Sequence, residues 1–444
     1  MIEKIVQLIS EQRYNELKAE LIQLNVADIA DIIEILPESE LMRIFRLLPK
    51  SMAADVFAYL SIEVEQALIM SLTDKEAANI LDNLFADDAT DLLEEMPASV
   101  VHKLLSYAKP ETRKDINHLL RYPDSSAGSI MTVEFINLRM TDTVDDAFNR
   151  IRKECADKET IEICYVTDGA RKLIGIVTIR NLILAEHDTI IENIMDSNVI
   201  SVDTLMDQEE VSMVFQKYDF TSMPVVDSEN RLVGIITVDD IVDIMRDEAT
   251  EDIEKMAAIT PSEKPYLKTS VFDVFKQRIP WLMLLMVSAT FTGKIIQSFE
   301  GAIASCVILT SFIPMLTDTG GNAGSQSSVT IIRSLSLGDV RFADIFKIIW
   351  KELRVSLLCG VSLAIINIGK MMLIDSVTFD IALVVSLTLV VTVFIAKLVG
   401  CTLPLVAKKL GFDPAVMASP FLTTIVDALA LIVYFNIASG LLNL

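Results

Sequence analysis

Apolar and polar positions repeat along the first quarter of the chain with a fixed period. Leu36, Leu48, Leu60, Leu72, Leu84 and Met96 fall 12 residues apart, and Pro37, Pro49 and Pro97 directly follow three of them. Units such as SELMRIFRLLP and DDATDLLEEMP place their apolar residues at helical spacing. The pattern predicts helices of about two to three turns that start after a polar cap and stop at or near a proline. Such a short helix cannot bury its stripe alone, so the units should stack into an all-α, superhelical N-terminal domain over residues 1–125.

A longer repeat occupies 126–245. SIMTVEFINL recurs as NIMDSNVISV and LIGIVTIRNLI as LVGIITVDDIV, with Gly175 and Gly234, and Thr178 and Thr237, each 59 residues apart. Short β-branched runs (ICYVTD, MPVVD) alternate with helical patterns (DTVDDAFNRIRK, DQEEVSMVFQKY), so each copy reads as a compact βαββα unit. Residues 246–278 connect this α/β region to the apolar remainder of the chain. DIMRDEATEDIEKMAA predicts a helix, TPSEKP breaks it, and TSVFDVFKQRIPW is amphipathic and delivers the chain to a bilayer at Trp281.

From 279 to 444 the pattern changes to long apolar runs, and five transmembrane helices can be drawn at 279–299, 301–332, 346–374, 378–407 and 414–442. Arg333, Arg341, Lys347, Lys351 and Arg354 cluster at the second connection, and Lys408 and Lys409 at the fourth. Positive charge favours the cytosolic side, so the expectation is a multi-pass cell-membrane protein with its N-terminus in the cytoplasm and its C-terminus outside. The second span is unlike the others: PMLTDTGGNAGSQSSVTIIRSL brings Asp318, Asn322, Gln326 and a run of small residues to membrane depth. It either packs very closely on a neighbour or opens to a water-filled path.

Composition agrees with this layout. The chain of 444 residues is 52% hydrophobic. Residues 1–278 carry 28 Lys and Arg against 53 Asp and Glu, so the acidic excess lies entirely before the spans. That surface repels nucleic acid and attracts cations. The five cysteines are scattered without a CxxC pair, which suggests neither a disulfide framework nor a zinc knuckle. MIEKIVQLISEQRYNEL is too charged for a signal peptide. His102, His118 and His187 are the only histidines and HExxH is absent, so an intramembrane metalloprotease is a weak reading.

The candidate chemistry is carboxylate chemistry. Asp427 stands near the middle of the last span with Thr423 and Thr424 on its helical face. A carboxylate there costs roughly 2.5 kcal/mol or more and marks a cation site in a pore, against the alternative of an acid that only fixes helix packing. Asp87, Asp88 and Asp91 share a helix face; capping and the helix dipole account for the first two, and Asp91 needs a further partner. Asp207, Glu209 and Glu210 open one helix of the α/β repeat and Asp239, Asp240 and Asp243 another, whereas Asp219 sits at a helix end where a cation is preferred. Glu248, Glu251 and Asp252, continued backwards by Asp247, form an acidic stripe that cations or a basic partner would relieve.

The duplicated module resembles a tandem pair of cystathionine-β-synthase (CBS) domains. That resemblance implies a regulatory sensor and, at the G-h-h-T-x-x-D turn, an adenine-nucleotide site. The second copy keeps Thr237 and Asp240, while the first has Thr178 and Asn181, so one site for ATP is expected. Together, GGNAGSQ, PFLTTIVDALALIVYF, KYDFTSMPVVD and ITVDDIVDIMRDEATEDI resemble the MgtE-type magnesium channel family over essentially the whole chain. The resemblance implies a homodimer with a pore on its twofold axis, closed by Mg²⁺ bound to the cytosolic helical domain, the CBS pair and a connecting plug helix. By motif, Asp427 is similar to the pore acid. Asp55, Asp87 and Asp91 are similar to the metal-contacting acids of the helical domain, and Asp207, Glu209, Asp219, Asp240 and Asp243 to those of the CBS pair. Glu248, Glu251 and Asp252 are similar to those of the plug helix, with Asp413 facing them from the membrane part. The expected function is a Mg²⁺ uptake channel without catalysis. The competing expectations are a less selective carrier for Co²⁺ or Mn²⁺, a cation-coupled exporter, and a membrane-anchored nucleotide sensor.

Overall fold

The computed structural model describes residues 2–262, 266–417 and 419–442, so Glu263, Lys264 and Pro265 of the expected TPSEKP break lie outside the described residues. The chain divides into two compact units, Met1–Ile244 and Met245–Leu444.

The first unit opens with α1 (Ile2–Ser10), α2 (Tyr14–Leu21), α3 (Val26–Glu34), α4 (Glu38–Phe45), α5 (Lys50–Phe57), α6 (Ile62–Ser71), α7 (Asp74–Leu81), α8 (Ala86–Glu94), α9 (Ala98–Tyr107) and α10 (Pro110–Leu119). From α3 onward each helix starts 12 residues after the one before. The periodic residues occupy the turns: Leu48, Leu60 and Met96 are buried, and Leu36, Leu72 and Leu84 pack against the same core. The helices stop near the prolines as expected, but the expected polar cap is replaced at three of the starts. Pro37, Pro49 and Pro97 each stand at the N-cap of the following helix in an extended conformation. Each preceding helix has already ended, and the ring's fixed φ aims the chain into the next one. Side chains cap two of the other helices, Asn25 at α3 and the reciprocal Thr73–Glu76 box at α7, a cap type worth about 1 kcal/mol.

The duplicated module lies in the same unit: β1 (Asn137–Arg139), α11 (Val144–Glu154), β2 (Ile163–Thr167), β3 (Leu173–Thr178) and α12 (Ile179–Leu184), then β4 (Val202–Asp203), α13 (Gln208–Tyr218), β5 (Ser222–Val226), β6 (Leu232–Thr237) and α14 (Val238–Met256). Each copy forms a three-stranded sheet with one parallel and one antiparallel pairing, the βαββα order expected. Gly175 and Gly234 hold the same register, opposite Val166 and Val225. A Cβ on Gly175 would lie 2.7 Å from the Met195 sulfur, and one on Gly234 2.7 Å from the Thr132 carbonyl oxygen. Both glycines are therefore set by a segment crossing the strand. The copies join through the buried Tyr165 and Ser222 hydroxyls, 2.8 Å apart.

In the second unit α14 ends and is followed by α15 (Val271–Ser298), α16 (Glu300–Ser305), α17 (Ile313–Ser336), α18 (Ile345–Leu373), α19 (Phe379–Lys409) and α20 (Ser419–Leu442). Four segments among the described residues are long and apolar enough to cross a bilayer: Val271–Ser298, Phe342–Leu373, Phe379–Lys409 and Pro414–Leu442. The amphipathic approach and the first span form one helix that runs through Pro280. The second expected span, 301–332, is not one helix. It is divided into α16, a 3-10 stretch Val307–Phe312 and α17, with Pro314 in the first turn of α17, where its missing N–H costs least. Its polar residues keep α17 outside the four apolar segments.

Candidate functional site

The acids of α8 and α14 meet. Asp87 is buried, and its Oδ1 accepts the Asp88 N–H at 3.0 Å. Thr237 donates its hydroxyl to Asp240 Oδ2 at 2.6 Å. Burial, reinforced by the Asp88, Asp240 and Glu159 carboxylates, holds Asp87 well above the ordinary carboxylate range. Burial and then Asp240, Asp239 and Glu134 push Asp88 up to about 7. Burial followed by Asp240 and Asp88 pushes Glu159 to about 8, and burial raises Asp240 to about 6 against the bond from Thr237. All the charges acting on these four groups are negative. Glu65 extends the cluster, raised to about 8 by burial and then by Asp88, Asp91 and Glu34.

Glu134 and Glu159 escape a reading by sequence because they lie in irregular segments, where no period marks them. Glu134 Oε2 accepts the Thr132 hydroxyl at 2.6 Å, while Glu159 Oε2 is buried without a partner. No three His, Cys, Asp or Glu among the described residues stand ready to chelate a bare ion. The arrangement suits a cation that keeps part of its water, which is how Mg²⁺ usually binds carboxylates.

The other predicted acids of this unit divide: Asp91 and Asp243 border the cluster, and Asp55, Asp207, Glu209 and Asp219 are not among the carboxylates acting on it. Asp55 is exposed on α5. Asp91 is exposed on α8 and acts on Glu65, and Asp243 acts on Asp240. Asp207 caps α13 by accepting the Glu209 N–H at 2.9 Å, and Asp219 ends the same helix. Twelve residue steps separate Asp207 from Asp219, about 18 Å at 1.5 Å per residue, so one chain does not gather Asp207, Glu209 and Asp219 into one shell. Asp219 has a local reason to be there: its φ of 52° is left-handed, a conformation that Asp tolerates better than most residues.

At the start of the second unit the acids carry their own cation. Lys255 Nζ lies 2.6 Å from Glu251 Oε1 and 2.7 Å from Asp413 Oδ2. Burial disfavours the ammonium, but its bonds to Asp413 and Glu251 outweigh that and raise its pKa. Asp252 Oδ2 accepts the Ser336 hydroxyl at 3.2 Å, and burial, then Asp413, raises its carboxyl. Met256 packs on Ile332 and Ala415. Glu248 lies one turn earlier on α14 and has partners of its own.

Among the membrane helices, Asp427 is half-buried on α20, and Asp318 on α17 is the charged group acting on it. The Thr423 and Thr424 hydroxyls donate back to the Pro420 carbonyl at 3.0 and 3.1 Å, so the polar stripe expected around Asp427 is tied to its own helix. The small residues of α17 pack closely. A Cβ on Gly320 would come within 2.7 Å of Thr392, one on Gly321 within 2.9 Å of Thr423, and one on Gly400 of α19 within 2.3 Å of the Gly324 carbonyl oxygen. Asp318, Asn322 and Gln326, at i, i+4 and i+8, are exposed on the other face. Close packing and an outward polar face therefore coexist on one helix.

The comparisons agree with this division. Residues 313–437 match the family model described as divalent cation transporter, 24–125 the MgtE intracellular N domain, and 127–188 and 191–247 the CBS domain. The magnesium transporter MgtE of Thermus thermophilus is 36% identical over 408 residues, covering 90% of this chain and 89% of the relative. That of Bacillus subtilis is 33% identical over 450 residues, covering 100% and 98%. A crystal structure of the cytosolic domain of the Mg²⁺ channel MgtE in complex with ATP is similar with a TM-score of 0.53 and 34% identity, covering 55% of this chain and all of that one.

Proposed function

The chain belongs to the MgtE family of magnesium transporters, which are not enzymes, and from that premise we propose that it conducts Mg²⁺ across the cell membrane under control of cytosolic Mg²⁺. The observation that carries the reading is the half-buried Asp427 on α20, a helix packed against α17, whose outward face carries Asp318, Asn322 and Gln326. Mg²⁺ sheds water reluctantly and is held by one or two carboxylates plus waters. A homodimer with Asp427 of both copies near its axis would supply two carboxylates, and would cover polar faces that lipid cannot solvate. Five crossings, with the N-terminus cytosolic and the C-terminus outside, complete the reading, α17 being the crossing that lines the path.

Control comes from the acidic cluster. Cytosolic Mg²⁺ bridges Asp87, Asp88, Glu159 and Asp240 and favours the arrangement that brings them together; when it leaves, their repulsion favours separation. Asp207, Glu209, Asp219 and Asp243 take part across the dimer. Asp55, Asp91, Glu248, Glu251, Asp252 and Asp413 tune the response. The experiment is Mg²⁺ flux into proteoliposomes with Co²⁺ and Mn²⁺ as competitors. Asp427→Ala should lower flux by a factor of about a hundred or more while the dimer still assembles; retained flux removes Asp427 from the path.

A second ligand is favoured by the ATP complex of the relative's cytosolic domain. On this chain Thr237 and Asp240 would receive ATP as its magnesium complex, since the surrounding carboxylates repel a bare triphosphate. Equilibrium dialysis of labelled ATP against the unaltered chain and Thr237→Ala tests this. No saturable binding makes the CBS pair a structural one.

A further inference from the structure

Buried in the membrane unit is an ion pair that the transport reading does not use. Lys397 on α19 is 5% exposed, and its Nζ lies 3.8 Å from Glu352 Oε2 on α18. Ser327 of α17 sits between them. Its hydroxyl donates to Glu352 Oε2 at 2.6 Å, and the Lys397 ammonium donates to Ser327 Oγ at 3.2 Å. Three helices are thus bonded at one serine. The neighbouring hydroxyls of Ser328 and Thr392 are equally buried and have no partner, so the network singles out Ser327 and is not general polar glue.

We infer that Lys397 and Glu352 are positioning residues for ion passage, which lock the rotation of α17 through Ser327. The packed face of α17 includes Gly320, Gly321, Ala323, Gly324 and Ser328, whose small size permits close approach. Rotating the helix by one residue, about 100°, would carry Asp318, Asn322 and Gln326 off the outward face. It would also pull Ser327 out of both bonds. Directional bonds from two different helices forbid that rotation, and a buried ion pair is a documented means of fixing register at some expense in stability. An intramembrane charge with no such task would be selected against.

The inference rests on the transport reading for its flux arm and stands apart from it in its labelling arm. In proteoliposomes, the double variant Lys397→Met with Glu352→Met removes both charges and both of Ser327's partners together, so no uncompensated charge remains to unfold the helices. It should assemble and melt like the unaltered chain, yet lose about tenfold or more in Mg²⁺ flux together with discrimination against Co²⁺, since small misplacements at a reacting centre cost that much. Ser327→Ala should change flux and selectivity in the same direction, and Ser327→Thr, which keeps the hydroxyl, should restore both. Unchanged selectivity and flux in the double variant overturn the inference. Should the unaltered chain carry no Mg²⁺ at all, the transport reading fails and labelling decides. Asn322→Cys should react with a membrane-impermeant thiol reagent in the unaltered background and lose that reactivity in the double variant, while Ala323→Cys gains it. Identical labelling patterns overturn the locking role.

Discussion

Two acidic regions look alike in the sequence and differ in what balances them. Asp87, Asp88, Glu159 and Asp240 in the first unit act on one another with no positive charge among them. Glu251 and Asp413 in the second share the ammonium of Lys255, at 2.6 and 2.7 Å. The first arrangement stores repulsion that either protons or a cation must relieve. In the second, an ammonium that the chain itself supplies already bridges two of the acids. Dependence on Mg²⁺ should therefore concentrate in the first unit, and the second should only modulate it.

The strongest way to break this comparison is to discharge the first region. In Asp88→Asn with Glu159→Gln, the Mg²⁺ concentration that protects the first unit from proteolysis should rise by about tenfold or more, as loss of metal-supporting groups generally does. The metal-free protein should at the same time become more resistant, because the repulsion is gone. An unchanged Mg²⁺ midpoint would move the regulatory ion elsewhere.

Legibility in the sequence depends on periodicity. The helical array is visible because every turn repeats a Leu or Met at the same interval, and the CBS pair because Gly175 and Gly234, each set by the crossing segment of a different copy, recur 59 residues apart. Asp427 and Asp318 can be picked out as acids in apolar surroundings, though only folding shows that their helices, α20 and α17, pack together. Glu134 and Glu159 belong to loops, and their role arises from tertiary contact alone. Asp219 has a second reason to stand at a helix C-terminus, a left-handed backbone, which charge rules do not see. The break before α17 stays hidden because hydropathy averages over the 3-10 stretch and does not register Pro314 as a helix start.

A second prediction uses protons in place of metal. In the folded chain Asp88 titrates near 7 and Glu159 near 8, both above their ordinary range. Folding therefore holds protons that the unfolded chain gives up earlier. This contribution is fully present below the ordinary carboxylate range and is lost as pH rises through about 4 to about 8. In chelator, the melting temperature of the chain's first unit should fall by on the order of 5 °C between about pH 5 and about pH 8.5. Mg²⁺ should restore it, and more at the higher pH, where the carboxylates are charged. A metal-free melting temperature that rises over this interval would contradict the clustering.

The smallest effect is expected at Lys255, and its sign is the informative part. Lys255→Met leaves Glu251 and Asp413 facing each other without their ammonium, so in chelator the 246–258 segment should be cut about threefold faster, a change typical of a partly exposed ion pair. Millimolar Mg²⁺ should abolish the difference, because the divalent ion can take the position the ammonium vacated. Lys255→Arg keeps the charge and should behave as the unaltered chain does. Were the ammonium a competitor that keeps Mg²⁺ away, Lys255→Met would instead close the segment at lower Mg²⁺ than the unaltered chain. That outcome would turn the second acidic region into a metal sensor like the first and remove the distinction between them.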